Sequence, residues 1–324
     1  MRSLIPSFPG PRRLVAALTV AALALTGCGG SDDEAAAEPS APAKPASRVI
    51  EATNGSITIP GDPRRIVGIS YATGALLDVG VVPVGTTKIE EPLELTADQA
   101  ATGAKITEIG AGDQINLEKV AGVTPDLIIV EGADFNWPID KLSQIAPTLY
   151  FEVSAPSDLV SSAEKIAKAV GRDAELKKLK DAYDQRVTEI KGEYADALAG
   201  NKFTVVSTYG GGNYYLGTRT SWIGQVVDDL GGSFTKASSS TATHETEESL
   251  ENLVKLEDAD VILIGRSGGA FTPEVEAMLG SGSFKLLKAA KNKQVHGVDF
   301  SYADRYTTMT AVLGQIETIL QGLS

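Results

Sequence analysis

The hydrophobic pattern divides the chain into three stretches. Residues 14–25 are apolar except for Thr19, a run of twelve positions. That is too short for a membrane span, which needs roughly 20 residues. Residues 29–47 carry no large apolar side chain and include Pro39, Pro42 and Pro45, the composition of a flexible tether. From Arg48 onward, short apolar blocks recur between turn residues, the pattern of a packed domain.

Within that domain, Val49 to Ala52 and Ile57 to Ile59 flank Asn54-Gly55, which predicts a hairpin. Ile66 to Ile69 predicts a buried strand, Ala75 to Leu77 a short helix and Val81 to Gly85 a second strand. Leu117 to Gly122 predicts a helix, Asp126 to Val130 a strand, Ile139 to Ile145 a helix and Leu149 to Phe151 a strand. Such alternation predicts a parallel α/β layer structure. Ser157 to Val170 forms an amphipathic helix stopped by Gly171. Residues 173–199 lack Pro, and Leu176, Leu179, Tyr183, Val187 and Ile190 recur at helical spacing, predicting one helix of roughly 40 Å.

A second series begins after Gly200-Asn201. It comprises strands over Phe203 to Thr208 and Tyr214 to Leu216, then helices over Trp222 to Leu230 and Leu250 to Leu256. Strand Val261 to Ile264 and helices Glu274 to Leu279 and Phe284 to Ala289 come next. Strand Gln294 to Val298 and helix Thr307 to Leu320 close the series. The halves echo each other: Asn116-Leu117-Glu118 precedes the apolar run at Asp126, and Ser249-Leu250-Glu251 precedes the one at Asp260. The expected organisation is a lobe over residues 48–172, a linking helix over 173–200 and a second lobe over 201–324.

Targeting signals refine this picture. Arg2, Arg12 and Arg13 precede the first apolar run, and Leu25-Thr26-Gly27-Cys28 follows it. A basic start, a short apolar core and small residues before the cut describe a secretory signal over residues 1–27. A Cys directly behind the small pair is the pattern of a bacterial lipoprotein. Cys28 is the chain's one Cys, so it has no partner for an internal disulfide. Residues 28–47 then form the tether of a protein anchored through lipid on the outer face of the membrane.

Charge narrows the partners. The net charge is -13, and removing residues 1–27 takes away three Arg and no acid. An acidic surface argues against nucleic acid, which needs a basic face. With two His and one Cys, a His-rich site for bare zinc or manganese is short of ligands. No Gly-rich phosphate loop ending in Lys-Ser or Lys-Thr is present.

The residues resemble a known family, the substrate-binding lipoproteins of ABC importers for ferric siderophores, haem and vitamin B12. The resemblance runs from Val49 to the C-terminus. It is carried by Gly61-Asp62-Pro63-Arg64-Arg65-Ile66-Val67, by Leu76 to Gly85, by Asn116 to Ile129 and by the echo from Ser249 to Ile264. It implies an α/β fold of two Rossmann-like lobes joined by one long α-helix, with a ligand cleft between the lobes and little hinge motion. It implies no enzymatic activity and no cofactor: the ligand is a ferric siderophore chelate held through its organic shell, without direct protein ligands to the metal. The partners it implies are an ABC permease and its cytoplasmic ATPase, and the protein is expected to be a monomer. Glu118 and Glu251 stand where family members present glutamates to the permease, with Glu248 an alternative to the second.

Aromatic and cationic residues gather at expected strand ends. Tyr71 follows the first buried strand, and Phe135 and Trp137 follow the third. Tyr209, Tyr214, Tyr215 and Arg219 surround a Gly-rich turn, and His244 lies in the loop before Glu251. Arg266, Tyr302 and Arg305 follow later strands, with Lys88 a further cation. Aromatic faces would bury a chelate's skeleton, and Arg or Tyr would donate to its iron-ligating oxygens. The balance of few cations against many Tyr favours a hydroxamate chelate over a catecholate, with haem and cobalamin open.

Each residue also has a structural reading. Trp137 could pack a lobe, one of Tyr214 and Tyr215 must face the core because strand neighbours alternate sides, and the Arg residues could form surface pairs. Two rivals remain. The Tyr214-Tyr215 tandem could bind bare ferric ion, and Gly265-Arg266-Ser267-Gly268-Gly269 matches the Gly-x-Ser-x-Gly elbow of serine esterases. Against the elbow, Gly268-Gly269 and Pro273 delay to about Glu274 the helix that should follow Ser267 directly.

Overall fold

The structure, a computed structural model, describes residues 46–88, 95–112, 114–133, 135–208 and 212–323. The signal segment, Cys28, nearly all of the tether and Tyr209 lie outside these residues.

Hairpin β1 (Arg48–Ala52) and β2 (Gly55–Ile59) pairs antiparallel through the Asn54-Gly55 turn. The first lobe then runs β3 (Ile66–Ser70), α1 (Ala72–Asp78), β4 (Gly85–Thr87), α2 (Ala97–Gly103), β5 (Thr107–Ala111) and β6 (Gln114–Ile115). It ends with α3 (Leu117–Gly122), β7 (Leu127–Gly132), α4 (Ile139–Ser143), β8 (Thr148–Glu152) and α5 (Pro156–Val170). Its six strands lie in the order β6-β5-β4-β3-β7-β8, parallel except for β6. Two buried layers flank this sheet. Val67, Ile69, Ile128 and Val130 face one; Ile66, Leu127 and Ile129 face the other, as period-two alternation requires.

The linking helix is broken where a single one was expected. Helix α6 (Asp173–Glu193) stops at Tyr194, whose φ of -113° and ψ of 27° leave the helical region, and α7 (Ala195–Gly200) follows at once. Leu176, Tyr183 and Ile190, at the predicted spacing, are its buried stripe.

The second lobe contains β9 (Lys202–Ser207), β10 (Asn213–Gly217), α8 (Trp222–Asp229), β11 (Ser233–Phe234) and β12 (Glu245–Ser249). A 3-10 helix (Leu250–Leu256), β13 (Val261–Gly265), α9 (Pro273–Gly280), α10 (Gly282–Lys285), α11 (Lys288–Lys291), β14 (Val295–Val298) and α12 (Tyr306–Gln321) complete it. The sheet order is β12-β10-β9-β13-β14, with β11 also pairing β9. Strands β9, β13 and β14 are parallel, whereas β10 runs antiparallel to both of its neighbours, β9 and β12. The fold is thus α/β, two lobes joined by a long helix. In each lobe the echoed segment is a short helix with a side-chain cap: Asn116 accepts from Lys119 N at 3.0 Å, and Ser249 from Glu251 N at 3.3 Å. Each helix feeds a central strand, β7 beside β3 and β13 beside β9.

Three expectations shift. Residues 81–84 are not strand; pairing starts at Gly85, behind Pro83, which has no amide hydrogen to give a ladder. Leu250–Leu256 is a 3-10 helix with Asn252 out of helical geometry, and the helix expected over residues 284–289 is two short ones.

Candidate functional site

In parallel α/β sheets, ligands bind beyond the carboxyl ends of the strands. In the first lobe those ends present Ser70 and Tyr71 after β3 and the Gly132 loop after β7. Ser70 holds a φ of 59°, a left-handed conformation unusual for a residue with a side chain, and its amide donates to Thr87 Oγ1 at 3.0 Å. The chain thereby turns sharply into α1 and sets Tyr71 on the rim.

In the second lobe a cleft of about 160 Å³ opens at the ends of β9 and β13. Its walls include Ser207, Thr208, Trp222, Glu245, Arg266 and Tyr302. Trp222 begins α8, whose cap Ser221 accepts from Gly224 N. Its indole stacks on Tyr71 at 6.3 Å between ring centres and meets Tyr302 edge-on at 5.3 Å. A three-ring aromatic wall therefore crosses from one lobe to the other.

Two charged side chains line the cleft. Arg266 lies across β14, where Gly297 makes room: a Cβ there would come within 2.6 Å of Arg266 Cδ. Its Nη2 donates to Asp299 Oδ2 at 2.9 Å, and Asp299 also accepts from Gly269 N. Glu245 opens β12, opposite Gly217. Burial pushes its carboxyl above the usual range, and His244, 3.9 Å away, pulls it partly back. His244 thus stands at the edge of the cleft, and its carbonyl accepts from Thr218 N at 3.0 Å.

Other candidates lie elsewhere. Tyr214 is fully buried in the core under the 3-10 helix, its hydroxyl donating to Asn252 O at 3.0 Å, and burial raises its pKa to about 12. It has no path to a ligand. Tyr215 points to the opposite face of β10, so the tandem does not converge, and the bare-iron reading loses its ligands. Trp137 is a first-lobe core residue, 8% exposed, with Nε1 donating to Ala133 O at 2.7 Å. Phe135, exposed in the same loop, meets it edge-on. Arg219 lies over the Phe234 ring and faces Asp228, outside the cleft lining. Lys88 borders a separate depression with Thr86 and Glu108. Ser267 lines the cleft, but an isolated bridge to Ala270 and Pro273 at the start of α9 replace the strand–turn–helix of an esterase elbow.

Arg305 also moves from the expected role. It is 4% exposed and anchors a buried network between the lobes. Its Nε donates to Asp78 Oδ1 at 3.1 Å, at the end of α1, and its Nη1 donates to Asp304 at 2.7 Å. Burial opposes the guanidinium charge, but Asp304 and Asp78 outweigh it and raise its pKa. Beside this group Glu131, 1% exposed on β7, accepts from Ser162, and burial lifts its carboxyl to about 8.

The docking candidates are both exposed. Glu118 lies in the first turn of α3 and Glu251 in that of the 3-10 helix. Glu248 instead pairs with Lys255 at 2.5 Å. Sequence reasoning missed Trp222, treating it only as a helix start. The available signal was an aromatic directly behind a Ser cap at a strand-to-helix turn.

Comparison with known proteins agrees with this architecture. Residues 68–302 match the family described as periplasmic binding protein. The iron(3+)-hydroxamate-binding protein FhuD of Bacillus subtilis is 28% identical over 320 residues, spanning 95% of this chain and 96% of the relative. The Fe(3+)-citrate-binding protein YfmC of the same organism is 27% identical over 289 residues, 88% of each chain. The siderophore periplasmic binding protein from the fuscachelin gene cluster of Thermobifida fusca superposes with a TM-score of 0.73 at 29% identity, covering 82% of this chain and 98% of that one. A match over most of the chain, on two α/β lobes with an aromatic cleft at facing strand ends, places this chain in the periplasmic binding protein family.

Proposed function

We propose that this protein is the substrate-binding component of an ABC importer and captures an intact ferric siderophore, with a hydroxamate chelate favoured. The Tyr71–Trp222–Tyr302 wall carries the reading, because it offers a bulky organic complex apolar faces from both lobes at once. Ser207, Thr208 and Arg266 add donors for chelate oxygens. The named relatives bind a ferric hydroxamate and ferric citrate, which supports the class of cargo. The cargo leaves unchanged, so no catalytic residue is assigned.

Delivery is proposed to run through a permease and its ATPase, with Glu118 and Glu251 as docking charges and Cys28 as the lipid anchor. Cys28→Ala should release the protein from the membrane; retention with lipid label would remove the anchor. The test of the cargo is equilibrium dialysis of residues 46–324 against ferric hydroxamate, ferric catecholate, haem, cobalamin and ferric citrate. One ferric hydroxamate retained per chain is expected. Retention of ferric citrate alone, or of cobalamin alone, would overturn the assignment.

A further inference from the structure

The cleft walls carry an electrostatic asymmetry. Of the residues lining it, Arg266 and Glu245 are charged. Arg266 is paired with Asp299 at 2.9 Å, so Glu245 is the lining charge without a permanently charged partner among the ion pairs of the described residues. The nearest group able to offset it is the His244 imidazole at 3.9 Å, charged only when protonated. Lys88, a further candidate cation, borders a different depression, Arg219 lies over the Phe234 ring outside the lining, and Arg305 is buried with Asp78 and Asp304.

Glu245 is also held in place. Its residue pairs with Gly217 across β12 and β10, its carbonyl accepts from Thr243 Oγ1 at 2.9 Å, and Thr218 Oγ1 ties the preceding residue pair to β10 by donating to Thr243 O at 2.7 Å. Two aromatic rings, Trp222 and Tyr302, line the same cleft, and ring faces attract cations rather than anions. Carboxylate and rings therefore favour the same sign of ligand charge.

We infer that Glu245 is a specificity residue that makes this cleft select ferric chelates bearing a protonated amine over chelates of the same iron centre with net negative charge. The inference rests on the chelate-binding reading above and adds the charge of the cargo. A ferric tris-hydroxamate is neutral at its centre, because three hydroxamate anions balance the ferric ion. A terminal ammonium on its chain makes the complex a cation, and Glu245 would accept a charge-assisted hydrogen bond from it.

The test uses one linear ferric tris-hydroxamate in three forms: with a free terminal amine, N-acetylated, and N-succinylated. Their net charges are positive, zero and negative, and the iron centre is unchanged. Titrated into the full chain at low salt, the amine form should bind roughly ten- to hundredfold more tightly than the succinyl form, with the acetyl form between. Glu245→Gln should bind all three with nearly equal affinity, and Glu245→Lys should reverse the order. On the wild-type chain, raising the salt to about 1 M should shrink the preference, since screening then acts within about 3 Å. Equal wild-type affinities, or a preference that survives Glu245→Gln, would overturn the role of Glu245 while leaving chelate binding intact. Failure of all three to bind would overturn the hydroxamate reading and this inference together.

Discussion

Single side chains separate the cleft lining from the framework. Trp222 and Tyr214 are the instructive pair: one aromatic stands in the cleft between two rings, the other is sealed in a core with its hydroxyl satisfied. Trp222→Ala should weaken chelate binding roughly tenfold or more, because it removes the centre of the wall. Tyr214→Phe should leave affinity unchanged and cost about 0.5–1.5 kcal/mol of stability, the net worth of its hydrogen bond. Titration and urea melting check the two, and a loss of affinity in Tyr214→Phe would return that ring to the site. Residue type alone could not distinguish them. Strand alternation did predict that Tyr214 and Tyr215 would part, but which one faced the core depended on the 3-10 helix packed beneath β10.

Elements decide how the lobes are tied. Beyond α6, the C-terminal end of α1 meets the N-terminal end of α12, where Arg305 bridges Asp78 and Asp304 with little solvent. Removing one member of a buried ion network leaves charges unpaired, at a cost of about 3–5 kcal/mol. Arg305→Met should show that loss by urea melting, with ligand affinity following only through lobe geometry. Normal stability would contradict the buried pairing.

Glu131 adds a pH dependence at the same junction. Its carboxyl titrates near 8 when folded, above its ordinary value, so the folded chain holds a proton that the unfolded chain has released. That contribution is present at low pH and declines as pH rises from about 5 to 8. Glu131→Gln should flatten this part of the stability profile, and an unchanged slope would sink the assignment. Most elements were legible from apolar periodicity, down to the hairpin, α3 and α12. Strand β12 was not, because Glu245-Thr246-Glu247-Glu248-Ser249 has no apolar face. It forms the sheet edge, where charge discourages pairing with other chains. Helix α2 escaped for a related reason: its sequence Ala-Asp-Gln-Ala-Ala-Thr-Gly buries only Gly103.

At the scale of the molecule, the two lobes repeat one plan, a capped helix leading into a central strand, and so present Glu118 and Glu251 at matching places. Lys at both positions should abolish cellular uptake and leave ligand affinity nearly unchanged. Normal uptake would remove these glutamates from docking. The echo and the family resemblance made the two-lobe plan readable in advance. The cleft was less readable, since its wall joins Tyr71 to Trp222 and Tyr302 across long stretches of chain, and contacts of that kind arise only when the lobes assemble.

The chain has two Trp, and the structure separates them: Trp137 is packed in the first-lobe core and Trp222 lines the cleft. The most direct measurement is therefore a fluorescence titration of the Trp137→Phe variant, with Trp222 as the remaining indole, using a ferric tris-hydroxamate. Saturable quenching at one chelate per chain is predicted, with little response to the iron-free ligand. Quenching that appears only in the reciprocal Trp222→Phe variant, or in neither, would contradict the account.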